Sequence, residues 1–452
     1  MSKATRTVVI LGFAVVALFG VDIGAGADNP WSQVTKEAEE RVGVAPERIE
    51  PGESVESLVA ELLADGLTRE EAVRIALMNN ARLQAAFDEL GIARADLLEA
   101  GLYANPDLEA ILRFPEAERG SELEVELSFN LSDLWRVPVR RKVARATLEQ
   151  TTMQVINEVL NTAADARRAH AECVLLTVLR DKSSQVLETA RAWRDHVYER
   201  YDYGYSSQLD LSMVDAVAAD YEMNVEVTKA QVSIAETRLS RVLGLSAEGL
   251  LGAGIVGKLP EAPAAMPYLA RLIQRAQQSR PDLLAAQLGV SAAEQNLRLQ
   301  RRSKWQRVSL GPTYVREPTG DELWGFALGV ELPLFDTNRA ARQRARYQLQ
   351  QAHSDLQALQ AAVHEEVTVG WEQLNLALLR ERILREQVLP AREKAYNHAK
   401  EYYNEMQLNM LYMLEAQREL FEAQMAHIQA LGDIQAGQVE LEFVVGGKMP
   451  ID

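Results

Sequence analysis

Cysteine is almost absent from this chain, since Cys173 is the only one among 452 residues. A disulfide within the chain is therefore excluded, and so is a zinc site built from several cysteines. Cys173 lies in a helical pattern, where a single cysteine is most often a small buried hydrophobic residue. We therefore expect Cys173 to be buried in a helix.

The chain also lacks an excess of basic residues. It carries 65 acidic against 48 basic residues, for a formal net charge of −17. Phosphate binding needs a basic surface, so this balance argues against nucleic acid as a partner. Hydrophobic residues make up 47% of the chain, and Pro (15) and Gly (26) are modest in number, so bulk disorder is not expected.

Long apolar runs are missing beyond the N-terminus. Lys3 and Arg6 precede an apolar run from Val8 to Gly20, and a small-residue cleavage site follows at Ala25–Ala27. This pattern predicts a signal peptide over 1–27, because the run is too short for a membrane-spanning helix. We expect an exported mature chain without a transmembrane helix. If that chain crosses a membrane, it must do so as strands.

No set of a nucleophile, a base or metal ligands is recognisable, so we expect neither an enzyme nor a bound cofactor. The segment Gly252–Lys258 reads G-x-G-x-x-G-K, which resembles a phosphate-binding loop. Such a loop needs a strand before it and a helix after it. Leu259-Pro260 follows instead, so we interpret the segment as part of a linker between two halves of the chain.

A duplication is the most informative feature that is present. Short segments of the first half recur about 200 residues later: Arg82–Ala86 as Asp282–Ala286, Ala144–Arg145 as Ala345–Arg346, and Leu211–Ala216 as Leu411–Ala416. This period is far too long for a solenoid repeat. We predict two similar halves over 67–243 and 267–445, joined by a linker at 244–266. An N-terminal extension at 28–66 and a tail at 446–452 flank them.

Each half contains two neighbouring segments that are predicted to form one strand hairpin. The hairpin of the first half lies at about 107–132, and that of the second half lies at about 308–332. Apolar and polar residues alternate along the second strand of each hairpin, which predicts one apolar and one polar face. The strands are long enough to cross a tilted bilayer, and export favours that reading over a hairpin on a soluble sheet. The apolar face is predicted to contact lipid, through Leu123, Val125, Leu127, Phe129, Trp324, Phe326 and Leu328.

Four strands cannot close a barrel around a pore, and open sheet edges are not tolerated in lipid. Several copies must therefore pool their strands. Three copies would contribute an even total of about twelve, which lies in the usual range for membrane barrels.

Long helical runs follow each hairpin, at about 139–243 and about 339–443. Leu349, Leu356 and Val363 recur every seven residues, as in a coiled coil. Each run reverses once, near residues 203–206 and 403–406. Met406, Met410 and Met413 lie at helical spacing there; a soft-metal path is conceivable, but a coiled-coil core is favoured.

Together these features resemble the TolC family of bacterial outer-membrane channel proteins. A helix with Leu67, Ala72 and Ala76 leads to Asn79-Asn80, and the pattern Ala-x-Leu-x-x-Asn-Pro-x-Leu at 100–108 precedes the first strand. The resemblance implies a mainly α fold with a membrane β-barrel. Three protomers share twelve strands, and the barrel continues into a long helical coiled-coil tunnel across the periplasm. A periplasmic adaptor (membrane fusion) protein and an inner-membrane pump feed such channels.

The resemblance also implies site residues. Asp215 and Glu415 are candidates for an acidic constriction at the tunnel entrance, where rings of carboxylates favour cations. Solvated helix charges are an equally good reading of both residues. The family's hairpin tips often carry glycine, which Gly204 matches and Glu405 does not. Candidate adaptor-docking residues lie at the two tips: Gly204, Tyr205, Ser206, Glu405, Met406 and Gln407.

The sequence thus predicts a passive homotrimeric outer-membrane exit duct, serving a tripartite efflux or type I secretion system. It would contact outer-membrane lipid and extend into the periplasm as helices. The alternative is an exported periplasmic coiled-coil scaffold without a pore. The sequence does not identify the exported substrate.

Overall fold

The computed structural model describes residues 29–46, 59, 62–63, 66–114, 120–246, 254–260, 266–303 and 307–448. The predicted signal peptide at 1–27 lies outside the described residues. So do parts of the predicted N-terminal extension, of the inter-repeat linker and of the C-terminal tail.

The described part of the chain is mainly helical with four strands, as the sequence predicts. In chain order the elements are α1 (Pro30–Val42), α2 (Arg69–Asn79), α3 (Ala81–Ala100), β1 (Asp107–Arg113), β2 (Glu122–Asn130), α4 (Asp133–Asp202), α5 (Gln208–Leu243), α6 (Leu269–Ser279), α7 (Pro281–Arg302), β3 (Val308–Arg316), β4 (Glu322–Val330), α8 (Arg339–Ile383), α9 (Leu389–Asn404) and α10 (Met410–Val444). Two helices, two strands and long helices follow each other twice, as the duplication requires.

The chain divides into two compact units. The strand unit contains the described residues of 90–152 and 286–355 together with residues 29–33. The helical unit contains residues 34–89, 153–285 and 356–452. Within the described ranges, no helix is both long and apolar enough to cross a membrane.

One antiparallel sheet organises the strand unit, with the strand order β1-β2-β3-β4. Leu108 lies opposite Leu127 between β1 and β2, and Leu310 lies opposite Leu328 between β3 and β4. Gly311 lies on β3 against the backbone of β2. A Cβ there would come within 1.6 Å of the Leu127 carbonyl oxygen, so any other residue would push the two strands apart.

Two prolines lie within the long helical runs. Helix α4 begins at Asp133 and contains Pro138. Because proline has no backbone N–H, the helix lacks the hydrogen bond that residue 138 would otherwise donate to the carbonyl of Leu134. Pro390 lies within the second long run, where a π-helical turn at Leu384–Val388 separates α8 from α9.

In both halves, a side chain at the end of a short helix donates a hydrogen bond to the end of the last helix of that half. In the first half, Asn79 donates through its side-chain amide to the carbonyls of Leu243 (3.2 Å) and Gly244 (2.9 Å), at the end of α5. In the second half, the Ser279 hydroxyl donates to the carbonyl of Val445 (3.0 Å), just after α10. The duplicated positions therefore cap the last helix of their own half.

Helix α1 lies in the N-terminal extension, most of it in the helical unit. Val34, Ala38 and Val42 recur every four residues and are buried, so they form one apolar face. Arg41 donates to the carbonyls of Ser279 (2.5 Å) and Gly446 (2.9 Å). A cation is favourable at helix C-termini, so Arg41 stabilises the ends of α6 and α10 together.

Candidate pore, entrance and docking surfaces

The register of the sheet collects apolar residues from all four strands on one face. Tyr314 of β3 lies opposite both Val125 of β2 and Trp324 of β4, and the Tyr314 and Trp324 rings are 4.8 Å apart. Phe326 is 81% exposed within the protomer and Leu328 is 66% exposed. An exposed apolar face of this size needs a covering environment. All seven residues predicted to contact lipid lie on this face.

The opposite face of the sheet is polar and divided in character. On β1 and β2 it is acidic, and Glu109 lies directly opposite Glu126. Arg113 neutralises part of this charge, because its guanidinium lies 2.8 Å from Glu122 and 3.0 Å from Glu124. On β3 and β4 the same face carries small residues, which leave space above the sheet: Ser309, Gly311, Thr313, Gly325, Ala327 and Gly329.

The two helical tips close with the same turn. At the first tip, the amide of Tyr205 donates to the Arg200 carbonyl (2.8 Å), and Gly204 has a φ of 76°. At the second tip, the amide of Gln407 donates to the Tyr402 carbonyl (2.8 Å). Met406, with a φ of 59°, occupies the left-handed position there. The structural counterpart of Gly204 is thus Met406 rather than Glu405.

Apolar residues are exposed around both tips, including several that we did not single out from the sequence. Tyr203, Tyr205 and Leu209 are exposed at the first tip, and Met406 and Tyr412 at the second. Side chains of this kind in one region are typical of protein-binding surfaces. No periodicity marks these residues, because tips interrupt the helical pattern that reveals buried faces.

The two candidate entrance carboxylates differ in their surroundings. Asp215 accepts a hydrogen bond from the Tyr198 hydroxyl (2.7 Å), and this bond raises the pKa of Tyr198. It borders a surface cleft of about 490 Å³ that Arg191 and Arg194 also line. Glu415 lies 3.8 Å from Arg418, and both side chains are more than half exposed. Within the described residues, no hydrogen bond or ion pair joins Asp215 to Glu415.

Buried residues below the tips form one apolar cluster. Val197, Leu211, Val214, Tyr403, Met410, Met413 and Leu414 make up its buried part. Met410 and Met413 are almost fully buried, which agrees with the coiled-coil reading, whereas Met406 is exposed. In the described ranges, no group of three or more His, Cys, Asp and Glu residues forms a metal site.

Two further predictions from the sequence concern the burial of Cys173 and the assignment of the segment Gly252–Lys258 to a linker. Cys173 is buried, as expected, and burial raises the pKa of its thiol to about 12. The described part of the phosphate-loop-like segment, from residue 254 to 258, contains no helix. Its Ile255 instead forms an isolated parallel bridge with Leu67.

Comparisons with known proteins agree with this architecture. Residues 272–447 match the family "Outer membrane efflux protein". The cobalt-zinc-cadmium resistance protein CzcC of Cupriavidus metallidurans is 22% identical over 392 residues, which are 85% of this chain and 91% of CzcC.

Solved structures of outer-membrane channels have the same fold. The channel OprN matches with a TM-score of 0.73 at 20% identity, over 91% of this chain and 95% of OprN. The Campylobacter jejuni channel CmeC matches with a TM-score of 0.71 at 15% identity, over 90% and 91% of the two chains.

The fold and its two-faced sheet define an outer-membrane channel protein with a periplasmic helical extension. Its second half, residues 272–447, matches the outer membrane efflux protein family, and the resemblance to TolC-type channels extends over most of the chain. The family, the fold class and the outer-membrane location predicted from the sequence are confirmed, and so is the role as an efflux exit duct.

Proposed function

We propose that three copies of this chain assemble into one passive duct, which receives substrates from an inner-membrane pump through a periplasmic adaptor protein. The sheet carries this proposal. Its register puts the apolar residues of four strands on one face, and β1 and β4 are its two edges. Unpaired strand edges are not tolerated in lipid, so β4 of one copy must pair with β1 of the next.

Exposed apolar residues in the helical unit support association of copies. Leu376, Leu379 and Ile383 lie on α8 and border a groove of about 800 Å³ between α8 and α10. Helices of a tunnel pack side by side through such surfaces. We propose that a neighbouring copy covers this groove.

The trimer is directly testable. Detergent-purified protein examined by native mass spectrometry should have three times the mass of the chain, because four strands do not close a barrel. Membrane fractionation provides the control against a scaffold without a pore, which would stay in the soluble periplasmic fraction. A stable monomer that still inserts into the membrane would contradict the shared barrel.

The tips are the proposed docking surface for the adaptor. Gly204, Tyr205, Ser206, Glu405, Met406 and Gln407 remain the predicted contact residues. The exposed side chains of Tyr203, Leu209 and Tyr412 extend this surface. Its apolar and aromatic character fits a partner that buries it on binding.

Divalent metal cations are the cargo class that we favour. The relative CzcC, whose name describes cobalt, zinc and cadmium resistance, aligns with 85% of this chain. The acidic residues of the strands and the net charge of −17 attract cations, which suits a duct through which many cations pass. A passive duct needs no tight metal site.

At the entrance, we propose that Glu415 from three copies forms an acidic ring, with Asp215 in a lesser role. Tyr198 already bonds Asp215, whereas Glu415 lies 3.8 Å from the exposed Arg418. Glu415→Ala should weaken Zn²⁺ block of the channel in planar bilayers by about tenfold, because carboxylates brought together attract divalent cations. Cells that carry this variant should differ from wild-type cells in the highest zinc concentration at which they grow.

Glu422→Ala is the matched control for this prediction, because Glu422 is another exposed carboxylate near Arg418 on α10. Its channel should keep the wild-type block. Unchanged block in a double variant with Glu415→Ala and Asp215→Ala would make both residues ordinary helix charges.

A further inference from the structure

Three segments of the strand unit carry a concentration of positive charge. Residues 134–148, 295–307 and 337–354 together contain fourteen of the 48 Lys and Arg residues and none of the 65 Asp and Glu residues. The whole chain has a net charge of −17, so this segregation runs against its average composition. Like charges on neighbouring helical positions repel each other, so the arrangement is unfavourable without an anionic partner.

The pairing of the strands brings these segments to the same end of the sheet. The amide of Leu131, after β2, donates to the carbonyl of Val308 (2.7 Å), and the amide of Glu331, after β4, donates to the carbonyl of Arg307 (3.0 Å). The Asn338 side chain donates to the carbonyl of Gln300 (2.8 Å), which ties the start of α8 to α7. The described residues of all three segments therefore lie at the end of the sheet that leads into the helices.

Arg140 and Arg342 at this end donate to backbone carbonyls, whereas other cations there are exposed. Six of them, three on α4 and three on α8, make no ion pair or hydrogen bond with any described residue. We call this set the basic belt: Arg141, Lys142, Arg145, Arg339, Arg344 and Arg346. Arg145 and Arg346 are counterparts in the duplication, so both halves contribute to the belt.

An exposed apolar loop lies beside the belt, between β4 and α8. Leu332 and Leu334 are mostly exposed, and Phe335 is fully exposed. The loop is held in place, since Asn338 bonds Gln300 and its own amide donates to Asp336 (2.8 Å). A fixed loop that presents three large apolar side chains beside cations is typical of a protein segment at a membrane surface.

We infer that the basic belt and the loop Leu332–Phe335 form a binding site for anionic phospholipids, at the membrane surface on the helical side of the sheet. The inference rests on the proposed insertion of the sheet. Guanidinium and ammonium groups bind the lipid phosphates, while Leu334 and Phe335 enter the boundary between headgroups and acyl chains. The belt of a neighbouring copy is also positive and would repel this one, so it is no substitute partner.

Lipid selectivity tests the basic belt. Wild-type protein is purified in detergent and mixed with micelles of phosphatidylglycerol and phosphatidylcholine. In native mass spectrometry, it should retain phosphatidylglycerol in preference to phosphatidylcholine. A variant with Arg339→Gln, Arg344→Gln and Arg346→Gln should lose about tenfold or more of that preference, because each cation near an anionic headgroup contributes to binding. The matched control carries Arg241→Gln, Arg382→Gln and Lys394→Gln, three exposed cations of the helical unit.

The control variant should keep the wild-type selectivity. Equal retention of both lipids by the wild-type protein, or an unchanged preference in the belt variant, would overturn the inference. Loss of the bound phosphatidylglycerol on addition of inorganic phosphate would identify a site for free phosphate instead, and would also overturn it.

A spin label tests the loop. Phe335→Cys can be labelled selectively, because Cys173 is buried and its thiol pKa is raised to about 12. In phosphatidylglycerol vesicles, a nitroxide at 335 should be accessible to lipid-soluble oxygen rather than to a water-soluble nickel complex. Tyr205→Cys, at the exposed first tip, should show the opposite accessibility.

Two results at position 335 would contradict the lipid site. Access to neither reagent would indicate that another protein copy covers the loop, and access to the nickel complex alone would indicate exposure to water. Conductance in planar bilayers separates this inference from the duct itself. Protein that conducts but has no lipid preference refutes only the lipid site, whereas protein that neither conducts nor enters membranes refutes the duct.

Discussion

Phe326→Arg should sharply reduce the amount of assembled protein in the outer membrane. Phe326 lies at the middle of β4, on the apolar face, and is 81% exposed within its own protomer. If the face contacts lipid, an arginine at mid-depth costs about 2–4 kcal/mol per chain. If the hairpins lie on a soluble sheet, the same change costs almost nothing, because little packing is lost.

Urea unfolding in lipid vesicles measures this free energy. Glu126→Arg is the control on the opposite face, where the new guanidinium can pair with Glu109 directly across the strand pair. It should assemble normally. Equal stability of the two variants would show that the two faces of the sheet are assigned wrongly.

Arg280→Met should produce the second large effect, a loss of about 3 kcal/mol in the free energy of unfolding. The Arg280 side chain is 8% exposed and lies 2.6 Å from Asp282 and 2.5 Å from Glu366. It also donates to the Val444 carbonyl (3.2 Å), at the end of α10. Burial lowers the pKa of the guanidinium, but the two carboxylates raise it above its ordinary value, so the group stays charged.

Thermal unfolding followed by circular dichroism tests this prediction, with Arg382→Met as the matched control. Arg382 is exposed and has no ion pair among the described residues, so its loss should change stability by less than about 0.5 kcal/mol. Adding Glu366→Leu to Arg280→Met should restore part of the stability, because it removes a carboxylate left without its partner. Equal melting temperatures for Arg280→Met and Arg382→Met would disprove the role of this cluster.

Local periodicity explains why the sheet and the helices could be predicted. The alternation in β2 and β4 is a property of consecutive residues, since neighbouring side chains of a strand point to opposite faces. The partner strands β1 and β3 are less regular, and they were predicted as the other strand of each hairpin. Met410 and Met413 were assigned to a core for the same reason, because helical spacing is visible along the chain. The basic belt lies in two segments without acidic residues, 134–148 and 337–354, which are also visible in the sequence.

Other features depend on residues that are distant in the chain. Nothing near Arg280 indicates that Glu366 and the end of α10 converge on it, and nothing near Asp215 indicates that Tyr198 satisfies it. The left-handed position at the second tip is Met406, which only the backbone of the folded turn shows.

The sequence by itself therefore determined the strands and the long helices, which follow from short-range spacing, and the duplication and the family resemblance, which follow from the order and recurrence of segments. Only the tertiary structure decided which charges are paired, which are left exposed beside the sheet, and which apolar side chains the protomer leaves uncovered. Those outcomes depend on which surfaces meet when the helices and strands pack together, and pairwise distances across hundreds of residues are not encoded in any local pattern.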